Sequence, residues 1–159
     1  AQQIAGLAIA RAAARLNAVR RFYDLIRAQE AVKVAQLQLA RRFDLPVILH
    51  SDGRIDDALP LILDAGFSAI NPIDHKAGCD LFKYAREYGD RLAIVGGYDT
   101  RNMETGDRDL IKKSIVDLLE KVKTNQVQFM FGPDHSIPPG VSYADFQYAL
   151  QVYREHMRY

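Results

Sequence analysis

The chain has 159 residues, of which 48% are hydrophobic and 26% charged, which is the size and balance of a single globular domain with a buried core. No run of about eighteen apolar residues occurs and no signal-peptide pattern opens the sequence, so we expect a cytoplasmic protein without a membrane partner. Cys79 is the only cysteine, which excludes an internal disulfide and a cage of several thiolates around a metal.

The charge is unevenly divided between two segments. Residues 1–43 carry eight Lys or Arg and two Asp or Glu, a balance of +6, whereas residues 44–159 carry thirteen and eighteen, a balance of −5. The basic segment is poor in aromatic residues and has no recognition motif for nucleic acid. The basic residues are therefore expected to form a charged, solvent-facing surface that complements the acidic segment. A nucleic-acid partner is not expected.

Residues 1–43 predict a helical arm. Ala and other strong helix formers dominate, Pro is absent, and only Gly6 interrupts them. With breaks at Asn17 and residues 28–30, two or three helices are expected. Its apolar residues need burial, so the arm is expected to cover a sheet formed by the rest of the chain. The residues expected to be buried are Ile4, Leu7, Ile9, Val19, Phe22, Leu25 and Ile26.

Residues 44–159 alternate short apolar runs with helical patterns. The runs are 47–50, 68–71, 92–96 and 127–131, and the helical stretches are 55–65, 78–88, 107–123 and 142–156. Their spacing suits consecutive right-handed crossovers, which place strands in parallel and in sequential order. The fold class is therefore predicted as α/β, with four parallel βα units and the helical arm in one domain over residues 1–159.

Polar residues follow each predicted strand. The residues are His50, Asp52, Asp74, His75, Asp99, Asp134 and His135. Because the carboxyl ends of parallel strands meet at one edge of a sheet, we expect these side chains to form a ligand-binding rim. Each Asp taken alone is also an ordinary turn former or helix cap.

A metal site at this rim is the weaker alternative. His50 and Asp52 are two residues apart, a spacing that presents two ligands on one side of an extended strand. Asp134 or His135 would supply a third ligand. A histidine hydrogen-bonded to a rim carboxylate without a metal is the favoured interpretation.

Seven segments in and between these loops resemble one protein family. They are Leu45–Gly53, Leu61–Gly66, Asn71–Pro72, Lys76–Asp80, Tyr88–Leu92, Gly96–Asp99 and Pro133–Ile137. In unbroken order they resemble the C-terminal half of the uroporphyrinogen decarboxylase family, which also contains methyltransferases acting on corrinoid-linked or thiol substrates. The resemblance covers residues 45–159, and in residues 1–43 it extends only to the helix at 31–43.

The resemblance implies half of a (β/α)8 barrel, a half-barrel, with its pocket at the carboxyl ends of the strands. It also implies cofactor-free decarboxylation, with His135, which matches the histidine of the last-strand motif, and Asp134 as the catalytic candidates. The family's key arginines and aspartate belong to the half that is not matched. Asp52 stands where the methyltransferases have a zinc-binding cysteine, so zinc is not implied.

Three functions follow as expectations. The first is a non-catalytic or engineered, chimeric scaffold built on this half-barrel. The alternatives are a fragment of a decarboxylase or corrinoid-linked methyltransferase, and a small-molecule binding module that uses the rim. Because four strands cannot close a barrel, the expected partners are a second copy in a homodimer and a small-molecule ligand.

Overall fold

The computed structural model describes residues 2–158, although within the first helix it does not describe the side chains of residues 2–10, 12, 25, 26 and 28–33. The elements are α1 (Gln2–Arg42), β1 (Ile48–His50), α2 (Leu59–Asp64), β2 (Ala69–Asn71), α3 (Leu81–Tyr88), β3 (Ala93–Val95), α4 (Arg101–Glu104), α5 (Arg108–Thr124), β4 (Phe129–Met130) and α6 (Tyr143–His156). The chain divides into two compact units, residues 1–45 and 46–159.

The first unit contains one helix of 41 residues, α1. The expected breaks at Asn17 and residues 28–30 are wrong, because helix continues through both. Burial was expected along this helix, yet Val19 is 51% exposed and Phe22 is 60% exposed, so that expectation is wrong for these two residues. The side chains of Ile4, Leu7, Ile9, Leu25 and Ile26 lie outside those described. The covering of the sheet by this arm remains a prediction.

The second unit is built on a parallel sheet with the strand order β1-β2-β3-β4. Ile48 pairs with Ala69, Ala69 with Ala93, and Ile94 with Phe129. The predicted α/β class and sequential parallel order are confirmed, and the sheet is compatible with half of a (β/α)8 barrel. Helix α4, between β3 and α5, was not predicted.

The two faces of the sheet differ in how deeply their side chains are buried. Successive residues of a strand point to opposite faces. Ile70 and Ile94 belong to the core cluster that includes Leu59 and Tyr84 of the flanking helices. On the edge strands, Ile48 and Met130 are more than half exposed.

Side-chain caps fix where the helices begin, and therefore the lengths of the loops that carry the polar rim. Asp107 accepts hydrogen bonds from the backbone N–H groups of Asp109 and Leu110 at 3.0 and 3.2 Å, as its position before α5 predicts. Asp80 and Ser142 cap α3 and α6 in the same way. Among the described residues, no helix is long and apolar enough to cross a lipid bilayer.

Candidate functional site

A cavity of about 470 Å³ lies at the carboxyl ends of the strands. Its walls are His50, Asp52, Asn71, Pro72, Val95, Gly96, Gly132, Pro133, Asp134, His135 and Ser136. Four of the seven predicted rim residues therefore share one cavity: His50 at the end of β1, Asp52 in the loop after it, and Asp134 and His135 in the loop after β4. None of these lining residues is Lys or Arg.

His135 lies among three carboxylates. Its Nε2 atom is 3.9 Å from Asp52 Oδ1 and 3.9 Å from Asp74 Oδ2, and its Nδ1 atom is 3.7 Å from Asp134 Oδ2. The imidazole is about one-third exposed, so one edge of the ring reaches the cavity. Residues from the loops after β1, β2 and β4 thus converge on a single side chain.

Asp134 is completely buried. Its Oδ1 atom accepts hydrogen bonds from the backbone N–H and the hydroxyl of Thr100, at 3.0 and 2.9 Å. Its own N–H donates to the carbonyl oxygen of Tyr98 at 2.8 Å, and Tyr98 N–H donates to Gly132 O at 2.9 Å. These bonds continue the pairing of β3 and β4 beyond the strands and hold Asp134 beneath the rim.

Asp74 joins two rim loops. Its carboxylate accepts hydrogen bonds from the backbone N–H groups of Gly53 and Ala77, both at 3.0 Å. Burial by itself would raise the pKa of Asp74, but these amide hydrogen bonds, together with nearby His135, outweigh burial and lower the pKa below its ordinary value. Asp74 is therefore a carboxylate that fixes the loops and places negative charge beside His135.

His50 is oriented by its neighbour in the sheet. Asn71 Nδ2 donates to the carbonyl oxygen of Val95 at 3.0 Å, and Asn71 Oδ1 lies 2.8 Å from His50 Nδ1. The Nε2 atom of His50 is 3.9 Å from Asp52 Oδ2. Since Nδ2 of Asn71 donates to Val95 O, the amide oxygen of Asn71 accepts a hydrogen bond from His50 Nδ1–H.

His75 and Asp99 do not line this cavity. The Nε2 atom of His75 is 2.7 Å from the carbonyl oxygen of Gly97. Asp99 forms a bidentate pair with Arg101, whose Nε atom donates to Oδ1 at 2.8 Å and whose Nη2 atom donates to Oδ2 at 2.6 Å. The hydrogen bond from Arg101 lowers the pKa of Asp99, although partial burial opposes it. His75 therefore contacts the loop after β3, while Asp99 has its partner in its own loop.

Gly96 lets the two sides of the cavity approach each other. Its φ angle is +78°, and a Cβ atom there would lie 2.7 Å from the carbonyl oxygen of Pro133. Since L side chains rarely adopt this backbone conformation and the contact is with backbone, a substitution would displace the loop after β4. Gly96 thus keeps the Asp134–His135 loop beside the end of β3.

The metal alternative receives no support from the geometry. Within the described part of the chain, no group of three or more His, Cys, Asp or Glu is arranged to hold a metal ion. His50, Asp52 and His135 share the cavity, but the two pairs that approach Asp52 are each 3.9 Å apart.

Thr100 and Asn71 are the site residues for which sequence reasoning assigned no role. Thr100 is buried and binds Asp134, while Asn71 orients His50. The position of Asn71 at the end of a predicted strand could have indicated that it belongs to the site. No local pattern marks Thr100, because its partner is 34 residues away.

The fold and the cavity define a class: parallel βα proteins whose site lies at the carboxyl edge of the sheet. The sequence profile of the family Uroporphyrinogen decarboxylase (URO-D) matches residues 12–156. The chain therefore belongs to the uroporphyrinogen decarboxylase family. No curated protein matches the sequence.

The family match also corrects one expectation about α1. Resemblance in the arm was expected only at residues 31–43, but the match begins at residue 12. Residues 12–30 are thus part of the family's sequence. An arm unlike the family, joined to half a barrel, would indicate a chimeric origin, but residues 12–43 lie within the family match.

Proposed function

We propose that this chain supplies one half of a ligand pocket in a barrel of the uroporphyrinogen decarboxylase family, and that this half does not catalyse decarboxylation by itself. Its rim binds a small molecule through N–H, O–H or ammonium groups of the ligand. The observation that carries the proposal is the cavity in which Asp52, Asp134 and His135 meet without a cationic side chain in its walls.

The chemistry of the lining atoms selects the ligand. Ionised carboxylates accept hydrogen bonds and do not donate them. Asp52 and Asp74 both lie 3.9 Å from His135 Nε2, so a donor group that enters between them meets acceptors from two loops. A ligand with several carboxylates would meet like charge at the same place.

The composition of the cavity walls also predicts that this half alone has no turnover. Loss of carbon dioxide from an acidic substrate develops charge, which preorganised cationic or donor groups must stabilise. The lining residues of this half provide no Lys or Arg for that purpose. A complete decarboxylase site would therefore need residues from elsewhere, so the enzyme interpretation requires a larger assembly.

A second copy of the chain is the partner that we propose for completing the sheet. Strands β1 and β4 are the outer strands of the described sheet, and unpaired strand edges tend to associate with other strands. Ile48 on β1 and Met130 on β4 add exposed apolar surface at both edges. Pairing of the two outer strands with those of a second copy would bury this surface.

Two probes of similar size and opposite charge test the ligand proposal. Benzylamine carries an ammonium donor, whereas benzoate carries a carboxylate. We expect benzylamine to shift the NMR signals of His50 and His135 in a saturable manner, and benzoate to leave them unchanged. Asp52→Asn should weaken benzylamine binding by about threefold, a small factor because Asp52 is exposed, while Asp57→Asn serves as the control outside the cavity.

Uroporphyrinogen is the third probe, and purified chain should not release carbon dioxide from it. Turnover that disappears in His135→Ala would contradict the non-catalytic part of the proposal. Saturable binding of benzoate at His135 that exceeds binding of benzylamine would contradict the ligand class.

A further inference from the structure

Two buried polar atoms beside the cavity lack hydrogen-bond partners. Within the described residues they are Oδ2 of Asp134 and Nδ1 of His135. They are 3.7 Å apart, too far for a hydrogen bond and too close to accommodate a water molecule between them. Since buried polar atoms almost always have a partner, this pair needs an explanation.

The carboxylate is fixed in the orientation that faces the imidazole. Thr100 donates two hydrogen bonds to Oδ1 of Asp134. The other carboxylate oxygen, Oδ2, therefore faces His135. On the opposite side of the ring, Nε2 points toward the carboxylates of the rim. A small rotation of the imidazole would bring Nδ1 within hydrogen-bond distance of Oδ2.

We propose that Asp134 is a positioning residue for His135. When the imidazole is neutral, Asp134 accepts a hydrogen bond from Nδ1–H and so favours the tautomer whose Nε2 lone pair faces the cavity. This inference rests on the proposed function, because a lone pair at Nε2 is suited to an N–H or O–H donor of the ligand. The two atoms are 3.7 Å apart in this structure, and they come within hydrogen-bond distance when a donor engages Nε2, as pairs of this type commonly do.

Asp52 and Asp74 would favour the opposite tautomer, with the proton on Nε2. Asp52 has a side chain that is 64% exposed, so water screens it and competes for its oxygens. Asp74 is already bound by two backbone amides. Asp134 is fully buried with one free oxygen, so its interaction with the ring is the least screened of the three and should decide the tautomer.

Nitrogen-15 NMR of the neutral histidine rings measures the tautomer directly. The His135 signals are assigned by their loss in His135→Gln. In the unsubstituted chain we expect the proton on Nδ1. In Asp134→Asn, the amide oxygen keeps the two bonds from Thr100 and the amide nitrogen faces His135 as a donor, so Nδ1 must become the acceptor and the proton should move to Nε2.

Asp52→Asn is the matched control on the other side of the ring, and it should leave the proton on Nδ1. A proton on Nε2 in the unsubstituted chain would overturn the inference, as would the same tautomer with and without Asp134. Thermal unfolding shows whether Asp134→Asn folds. If it does not, the tautomer of His135 in the unsubstituted chain still tests the inference. Because the tautomer is read without ligand, its outcome is independent of whether benzylamine binds.

Discussion

At the residue scale, Asp56 is the carboxylate that connects the loop after β1 to α3. Lys83 Nζ lies 2.8 Å from it, Tyr84 OH 3.0 Å and Arg54 Nε 3.1 Å. The hydrogen bond from Lys83, followed by that from Tyr84, lowers the pKa of Asp56 far below its ordinary value, although burial opposes this. Asp56 therefore stays ionised in the folded chain under conditions in which the unfolded chain binds a proton.

This difference predicts how stability changes with acid. A carboxyl group whose pKa is lowered by folding stabilises the folded chain above its unfolded pKa, near 3.8, and this stabilisation is lost as the pH falls toward the folded pKa. We expect Asp56→Asn to lower the midpoint of thermal unfolding at neutral pH and to flatten its decrease between about pH 4 and pH 2. The exposed neighbour, Asp57→Asn, should change neither; an unchanged acid profile in Asp56→Asn would contradict the argument.

The sequence predicted which polar residues follow the strands, but not which of them share the cavity. That these residues lie at one edge of the sheet follows from parallel strand order, which was readable from spacing. That those after the outer strands β1 and β4 share a cavity does not follow from it, because β1 and β4 are not neighbours. That Asp99 instead binds Arg101 depends on α4, whose single turn has no apolar periodicity to reveal it. The burial of Asp134 depends on contacts across the sheet that no local pattern records.

At the element scale, α5 and α6 form a separate core against the end of the sheet. Ile111, Ile115 and Leu119 of α5 pack with Ala149 and Val152 of α6. Ile115 is fully buried, whereas Leu110 on the same helix is 37% exposed. The helical spacing of the apolar residues of α5 predicts one buried stripe, and the structure buries it except at Leu110.

Ile115→Ala tests how much this stripe contributes. Removing a fully buried Ile side chain loses transfer free energy and leaves a cavity, so the free energy of unfolding should fall by about 2–5 kcal/mol. Leu110→Ala removes a similar side chain from a partly exposed position and should cost below about 1 kcal/mol. Chemical denaturation measures both; equal losses would show that α5 is not anchored by its buried face.

Elements with strong periodicity or caps were predictable, and those governed by competing local preferences were not. Asp107 marks the start of α5 in both sequence and structure. In α1, Asn17 suggested a break, but its unfavourable helix propensity is only about 0.7 kcal/mol. Propagation adds a hydrogen bond per residue in an Ala-rich segment, so one residue of this kind does not end the helix.

At the scale of the whole molecule, the outer strands are where we propose that two copies of the chain associate. The sheet of the second unit has β1 at one side and β4 at the other. Ile48 is 52% exposed and Met130 62% exposed. A stable interface between copies buries at least about 1,000 Å² of surface, which requires more than two side chains, so backbone pairing along the strand edges must accompany them.

Sedimentation equilibrium tests this association. We expect the unsubstituted chain to form a dimer, and Ile48→Lys or Met130→Lys to shift it to monomer, because a charged side chain at a strand edge opposes pairing with another strand. Leu61→Lys is the matched control, since Leu61 is 71% exposed but lies on α2 and not on an edge strand. All variants should keep the helical circular dichroism of the unsubstituted chain, because the replaced side chains are exposed. A chain that is monomeric without substitution, or a dimer that survives both edge substitutions, would mean that the outer strands are not where copies meet.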